Sequence, residues 1–278
     1  MEKSLVELLG LPDVDHVVYK SSPLTLALCQ VKFARTLSVA SASDVAPFQR
    51  AIQDDYPILA GGMVEVNIEV VPSGVRLPQG QPADRWQFAD LDDNWKVILA
   101  PDFLAIETRD YGDFGSFLER LKRALAALME HINPPLINRI GLRYINEIRL
   151  SGLPWSSVIR PELLGVLAVP PFAENLRQSF QELVFRYDQA YGINIQHGLF
   201  PVGTVVRPKP GVEVSDQPFY LLDLDAYWES PTQGGELPDI ESICRRVKEF
   251  NRANYRLFRW CVAEEYVSRF GVLRYATD

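Results

Sequence analysis

Cysteine and histidine are scarce, with three of each among 278 residues. Cys29, Cys244 and Cys261 form no Cys-x-x-Cys pair, which argues against both a disulfide framework and a thiolate zinc site. His16, His131 and His197 fall in an N-terminal segment, at a helix end and in a strand, so a histidine-rich metal site or a nucleophilic triad lacks its parts. There is no glycine-rich phosphate loop, no H-E-x-x-H and no G-x-S-x-G. No apolar run approaches the roughly 18 residues of a membrane span. The first residues carry Glu2 and Glu7 among leucines instead of a basic stretch before an apolar run, so no signal peptide is expected. By elimination the expected compartment is the cytoplasm, with no membrane, metal or cofactor.

Positive charge is also short. The net charge is −8 and the isoelectric point is near 5.1, which disfavours non-specific binding to phosphate backbones and anionic lipid. What is present is ordinary globular material: 47% hydrophobic and 23% charged residues, enough to build a core. At roughly 100–200 residues per domain, the length allows one large domain or two small ones.

The patterning predicts an α+β fold. Leu24 to Arg35 begins largely apolar on both faces, as in a central strand. Met63 to Val71 alternates Val64, Val66, Ile68, Val70 against Glu65, Asn67, Glu69, a half-buried strand. Strands are also expected at Arg85 to Ala89, Trp95 to Ala100 and Phe103 to Arg109. Pro72 to Asp84 and Arg207 to Pro218 read as loops. Leu136 to Leu150 predicts a long strand with Ile140, Leu142, Tyr144 and Ile148 on one side and Arg139, Arg143, Glu147 and Arg149 on the other. Gln178 to Asp188 and Tyr191 to Phe200 predict a hairpin joined near Ala190-Tyr191-Gly192, and Phe219 to Trp228 a further strand.

Three amphipathic helices are expected. Ser43 or Asp44 caps the first, which runs to Tyr56. Ser116 and Glu119 form a capping box for the second, whose stripe is Phe117, Leu121, Leu125 and Leu128. The third starts after Pro238 and keeps apolar spacing almost to Gly271, as one rod or as two helices broken near Asn251. Its stripe includes an amide, Asn254. The expected organisation is two similar halves, 1–152 and 153–278, each a mainly antiparallel sheet with helices on one face.

Two surfaces carry candidate chemistry. Arg139, Arg143, Asn146, Asp223 and Asp225 form a candidate ligand face on neighbouring strands. The bland alternative is that Asp223 and Asp225 simply pair with the arginines across the sheet, and it is favoured. On the last helix, Arg252, Tyr255, Arg256, Arg259 and Trp260 combine arginine with aromatics, the chemistry of a protein interface and, less directly, of nucleic-acid stacking. The polar turn at Asp90-Leu-Asp-Asp-Asn94 lacks the glycine and spacing of a calcium loop and reads as a hairpin connection.

Pro23-Leu-Thr-Leu-Ala-Leu-Cys-Gln-Val31 and Asn138-Arg-Ile-Gly-Leu-Arg-Tyr-Ile-Asn146 resemble a sporadically distributed bacterial protein family of about this length. Tyr56-Pro57 and the spacing of Phe250 and Phe258 fit the same pattern. Members often carry a histidine just after the first of these aromatics, where this chain has Asn251. The resemblance implies mobile accessory genes, such as defence or toxin–antitoxin loci. The first expectation for function is accordingly a non-enzymatic module that binds a protein partner. A small-molecule binder or enzyme using the charged sheet face comes second, and a nucleic-acid binder third.

Overall fold

The computed structural model describes residues 4–60, 69–71, 74–76, 85–150, 152–204, 215–232 and 234–275. Along the chain these form α1 (Leu5–Leu9), β1 (Val17–Tyr19), β2 (Leu24–Phe33), α2 (Ala42–Ile52), β3 (Ile58–Ala60), β4 (Glu69–Val71), β5 (Gly74–Arg76), β6 (Trp86–Ala89), β7 (Trp95–Ala100), β8 (Phe103–Thr108), α3 (Phe114–His131) and β9 (Ile137–Arg149). Then follow α4 (Pro161–Leu164), α5 (Phe172–Asn175), β10 (Gln181–Arg186), β11 (Tyr191–Phe200), β12 (Phe219–Glu229), α6 (Ile240–Cys261), α7 (Glu264–Val267) and β13 (Val272–Tyr275).

Nine strands make one antiparallel sheet in the order β10-β11-β12-β9-β2-β8-β7-β6-β3. Successive side chains of a strand point to opposite faces, and that alternation sorts the sheet. Ile140, Leu142 and Ile148 of β9 lie with Cys29 and Val31 of β2 and Leu222 and Leu224 of β12 in the main core. The apolar stripes of α3 and α6 cover this face, and α2 packs beside α3. The helices thus sit on one side of the sheet, as the half-wet strand patterns require. The other face carries Arg139, Arg143, Asp223 and Asp225, with a smaller apolar cluster of Leu26, Ile145, Phe200, Phe219 and Leu221 at one end.

The boundary expected at residue 152 falls between β9 and β12, which are neighbours in register from Phe219↔Arg149 to Glu229↔Arg139. Both the sheet and the main core run across it.

Several local expectations are corrected. The cap of α2 is Ser41, not Ser43 or Asp44. Its hydroxyl accepts the N–H of Asp44 at 3.3 Å, and the Asp44 carboxylate accepts the N–H of Ser41 at 3.1 Å. Helix α3 starts earlier than its Ser116/Glu119 pattern suggests: Asp113 is the cap, and Ser116 supplies the N–H that Asp113 accepts at 2.9 Å. Helix α6 passes intact through Asn251 and ends instead at Val262, where the chain bridges to Ile159. The hairpin turns at residues 187–190, where Asp188 accepts the N–H groups of Ala190 and Tyr191 at 2.7 and 2.6 Å. Gly192 lies inside β11 because Tyr227 crosses over it; a Cβ there would sit 2.4 Å from the Tyr227 hydroxyl. Of the strand expected over Met63 to Val71, only Glu69–Val71 is among the described residues. It pairs with Gly74–Arg76, inside the span read as a loop. The rest of that loop, and residues 207–214 of the loop expected over Arg207 to Pro218, lie outside the described residues.

Candidate functional site

The charged sheet face is built from register. Arg143 lies opposite Asp225, one step from Asp223. Its guanidinium grips Asp223 with two hydrogen bonds of 2.8 and 2.5 Å, while Arg139 donates to Asp225 at 2.8 Å and stacks over Tyr227. Burial pushes the Asp225 carboxyl up from its ordinary value, and Arg139 and Arg143 oppose that shift. The four groups neutralise one another. Asn146 does not join them: it lies on the helix-covered face and donates to the carbonyl of Leu222 at 3.1 Å. The five residues of the candidate ligand face therefore do not converge.

The Arg/aromatic face of α6 is also occupied, by the chain's own N-terminal segment. Tyr255 donates to the carbonyl of Asp15 and accepts the N–H of Val17, and the His16 ring lies 4.0 Å from its own. Arg256 reaches Asp13 and the carbonyl of Leu11. Arg259 pairs with both oxygens of Glu264, and Trp260 lies under Arg160. Of this set, only Arg252 is exposed.

Between these elements is a cavity of about 340 Å³. Its walls come from β1, the start of α3, β9 and the middle of α6, and Asn146, Arg252 and Tyr255 line it. Most of the lining is apolar or aromatic: Leu24, Tyr111, Phe114, Leu118, Tyr144 and Phe258. Against that background stand three buried amides, Asn146, Asn251 and Asn254. A relay fixes the second of them. Tyr111 and Tyr144 hydroxyls lie 3.1 Å apart, and Tyr144 donates to Asn251 Oδ1 at 2.8 Å. Burial raises both phenols above their ordinary value, so they stay protonated as donors. Asn254 spends its Nδ2 on the carbonyl of Leu142 at 2.8 Å, leaving its Oδ1 with no hydrogen-bond partner among the described residues. At the mouth, Asp113 holds Arg274, and the Ser116 N–H that Asp113 accepts is the first cause of its lowered pKa.

No family model and no curated protein matches the chain. Among solved structures, lombricine kinase matches over 92% of this chain and 74% of its own, at 9% identity and a TM-score of 0.27, a likeness too slight to carry an argument. No helix among the described residues is long and apolar enough to cross a membrane, and no cluster of His, Cys, Asp and Glu among them could hold a metal ion.

Away from the cavity, His197 is buried in β11. Its Nδ1 is 2.7 Å from the hydroxyl of Tyr220, which donates to the carbonyl of Leu163. Burial lowers its pKa, so the folded state holds it neutral. Below an unfolded value of roughly 6.5 the unfolded chain takes up a proton that the folded chain refuses. Stability from this residue is therefore present above that pH and lost as pH falls. Unfolding free energies measured at about pH 7.5 and about pH 5.5 are expected to differ less in His197→Gln than in the parent. An equal difference in both would remove His197 from the pH response.

Proposed function

We propose that this protein binds a small molecule in the cavity between α3, α6, β1 and β9. The observation that carries the reading is the convergence of three buried amides in a pocket whose lining is mostly apolar and aromatic, one with a carbonyl oxygen left unbonded among the described residues. An unsatisfied buried acceptor costs about 1–3 kcal/mol, a cost that a ligand donor offsets. The volume falls in the range of ligand pockets, roughly 300–1,000 Å³, and the mixture of apolar wall with a few polar groups is what such pockets use to orient a ligand. This favours the small-molecule expectation over the protein-partner one, with the site moved from the charged sheet face to the opposite side of the sheet. Asn251, standing where the family that the sequence resembles often carries histidine, lines the same cavity.

Leu118 gives a direct test, since it lines the cavity from α3 and a larger side chain there fills space while all three amides are kept. An environment-sensitive dye, anilinonaphthalene sulfonate, is expected to bind the native protein at one site, and Leu118→Trp is expected to weaken it about tenfold or more. Both proteins should unfold with the same cooperativity. A native protein that takes up no dye, or a Leu118→Trp variant that binds it equally well, sinks the reading.

A further inference from the structure

Each of the three amides has one half committed to the frame and one half uncommitted. Asn146 donates through Nδ2 to Leu222, Asn251 accepts at Oδ1 from Tyr144, and Asn254 donates through Nδ2 to Leu142. What remains without a partner among the described residues is two acceptors, the Oδ1 atoms of Asn146 and Asn254, and one donor, the Nδ2 of Asn251. The complement is a ligand edge with two N–H donors beside one acceptor. An amino-bearing nucleobase has that edge, an exocyclic NH₂ next to a ring nitrogen, and asparagine reads adenine by this pairing in other settings. The aromatic lining, including the edge-to-face pair Tyr111 and Tyr144 with centroids 5.6 Å apart, suits a flat ring more than an aliphatic amide.

The mouth points to the other end of the ligand. The cavity shares His16, Lys248, Arg252 and Tyr255 with a second depression of about 760 Å³ that adds Arg245 and Arg256. Arg245, Lys248 and Arg252 follow one another at three and four residues along α6 and so share a helix face. Lys248 and Arg252 are exposed, and Lys248 has no ion pair among the described residues. The depression's acids are largely engaged: Asp13 pairs with Arg256, and Glu249 accepts the N–H of Leu5, while Asp15 also lines it. The start of α3 is not the anion end, since the carboxylate of Asp113 already fills it.

We propose that the cavity takes a nucleoside phosphate with an amino-bearing base, its base edge against Asn146, Asn251 and Asn254 and its phosphate at Lys248 and Arg252. This rests on the small-molecule reading above. The test is displacement of the bound dye, checked by calorimetry, using two matched pairs: AMP against IMP and CMP against UMP, which differ in the amino group. At least one amino-bearing member is expected to bind about tenfold or more tightly than its partner, and more tightly than its own nucleoside. Lys248→Ala, at an exposed position, is expected to weaken the nucleotide about tenfold while leaving the nucleoside unchanged. Asn254→Leu should abolish the preference within the pair. Dye binding that no nucleotide displaces overturns this ligand class and leaves the cavity reading standing. Equal binding of both members of each pair, or a nucleotide affinity indifferent to Lys248→Ala, overturns it as well. Absence of dye binding fails the cavity reading itself.

Discussion

Arg143→Met is expected to lower the free energy of unfolding by about 3–5 kcal/mol, the cost of leaving a buried carboxylate unpaired. Asp223 is only 3% exposed, and Arg143 supplies both hydrogen bonds to its side chain among the described residues, at 2.8 and 2.5 Å. Removing the guanidinium leaves a desolvated charge with nothing to offset the cost of its burial. The double variant Arg143→Met/Asp223→Leu should recover most of the loss, since an apolar pair of similar volume is often as stable as a buried ion pair. Urea unfolding of the three proteins at neutral pH checks the claim. A single variant within about 0.5 kcal/mol of the parent would place it among neutral surface changes and refute the pairing.

Phe250→Ala is expected to cost about 3–5 kcal/mol. Phe250 is fully buried halfway along α6 and meets the ring of Tyr191 edge-on, at 6.3 Å between centroids. Removing the ring loses its burial and leaves a hole that a helix pinned at both sides cannot collapse around. Arg245→Ala, on the exposed side of the same helix, is the control and should change stability by less than about 0.5 kcal/mol. Equal losses in the two variants would mean that α6 does not pack through its apolar stripe.

The fold was readable where period and burial coincide. The alternation from Ile137 to Arg149 separated Ile140, Leu142, Tyr144 and Ile148 from Arg139 and Arg143, though Asn146 was grouped with the wrong face, and the stripe of α6 named its buried side. The pairing of Asp223 and Asp225 with Arg143 and Arg139 was legible too, because all four fall on odd positions of strands that prove to be neighbours. The cavity was not legible. Its walls come from segments around residues 16–24, 111–118, 144–146, 224, 248–258 and 274, brought together only by long-range packing. Three of its residues were singled out, for two other surfaces: Asn146 for the charged sheet face, Arg252 and Tyr255 for the helix. One signal was available. Asn254 interrupts an otherwise apolar helical stripe, and an amide at a core position must be satisfied by something. The start of α3 was misread for a local reason, since Asp113 and Ser116 are both good caps and only backbone geometry chooses between them.

The strand order has a kinetic consequence. β2 and β9 are adjacent at the centre of the sheet, yet Leu24 finds its partner only at Asn146, more than a hundred residues on. The β6-β7-β8 meander and the β10-β11 hairpin close over short connections and can form early. The centre must wait for distant segments to meet, which costs loop-closure entropy before any contact repays it and makes refolding slow for a chain of this size. Until then β2, whose first half is apolar on both faces, stands without neighbours, and the nascent chain is vulnerable to aggregation through that segment.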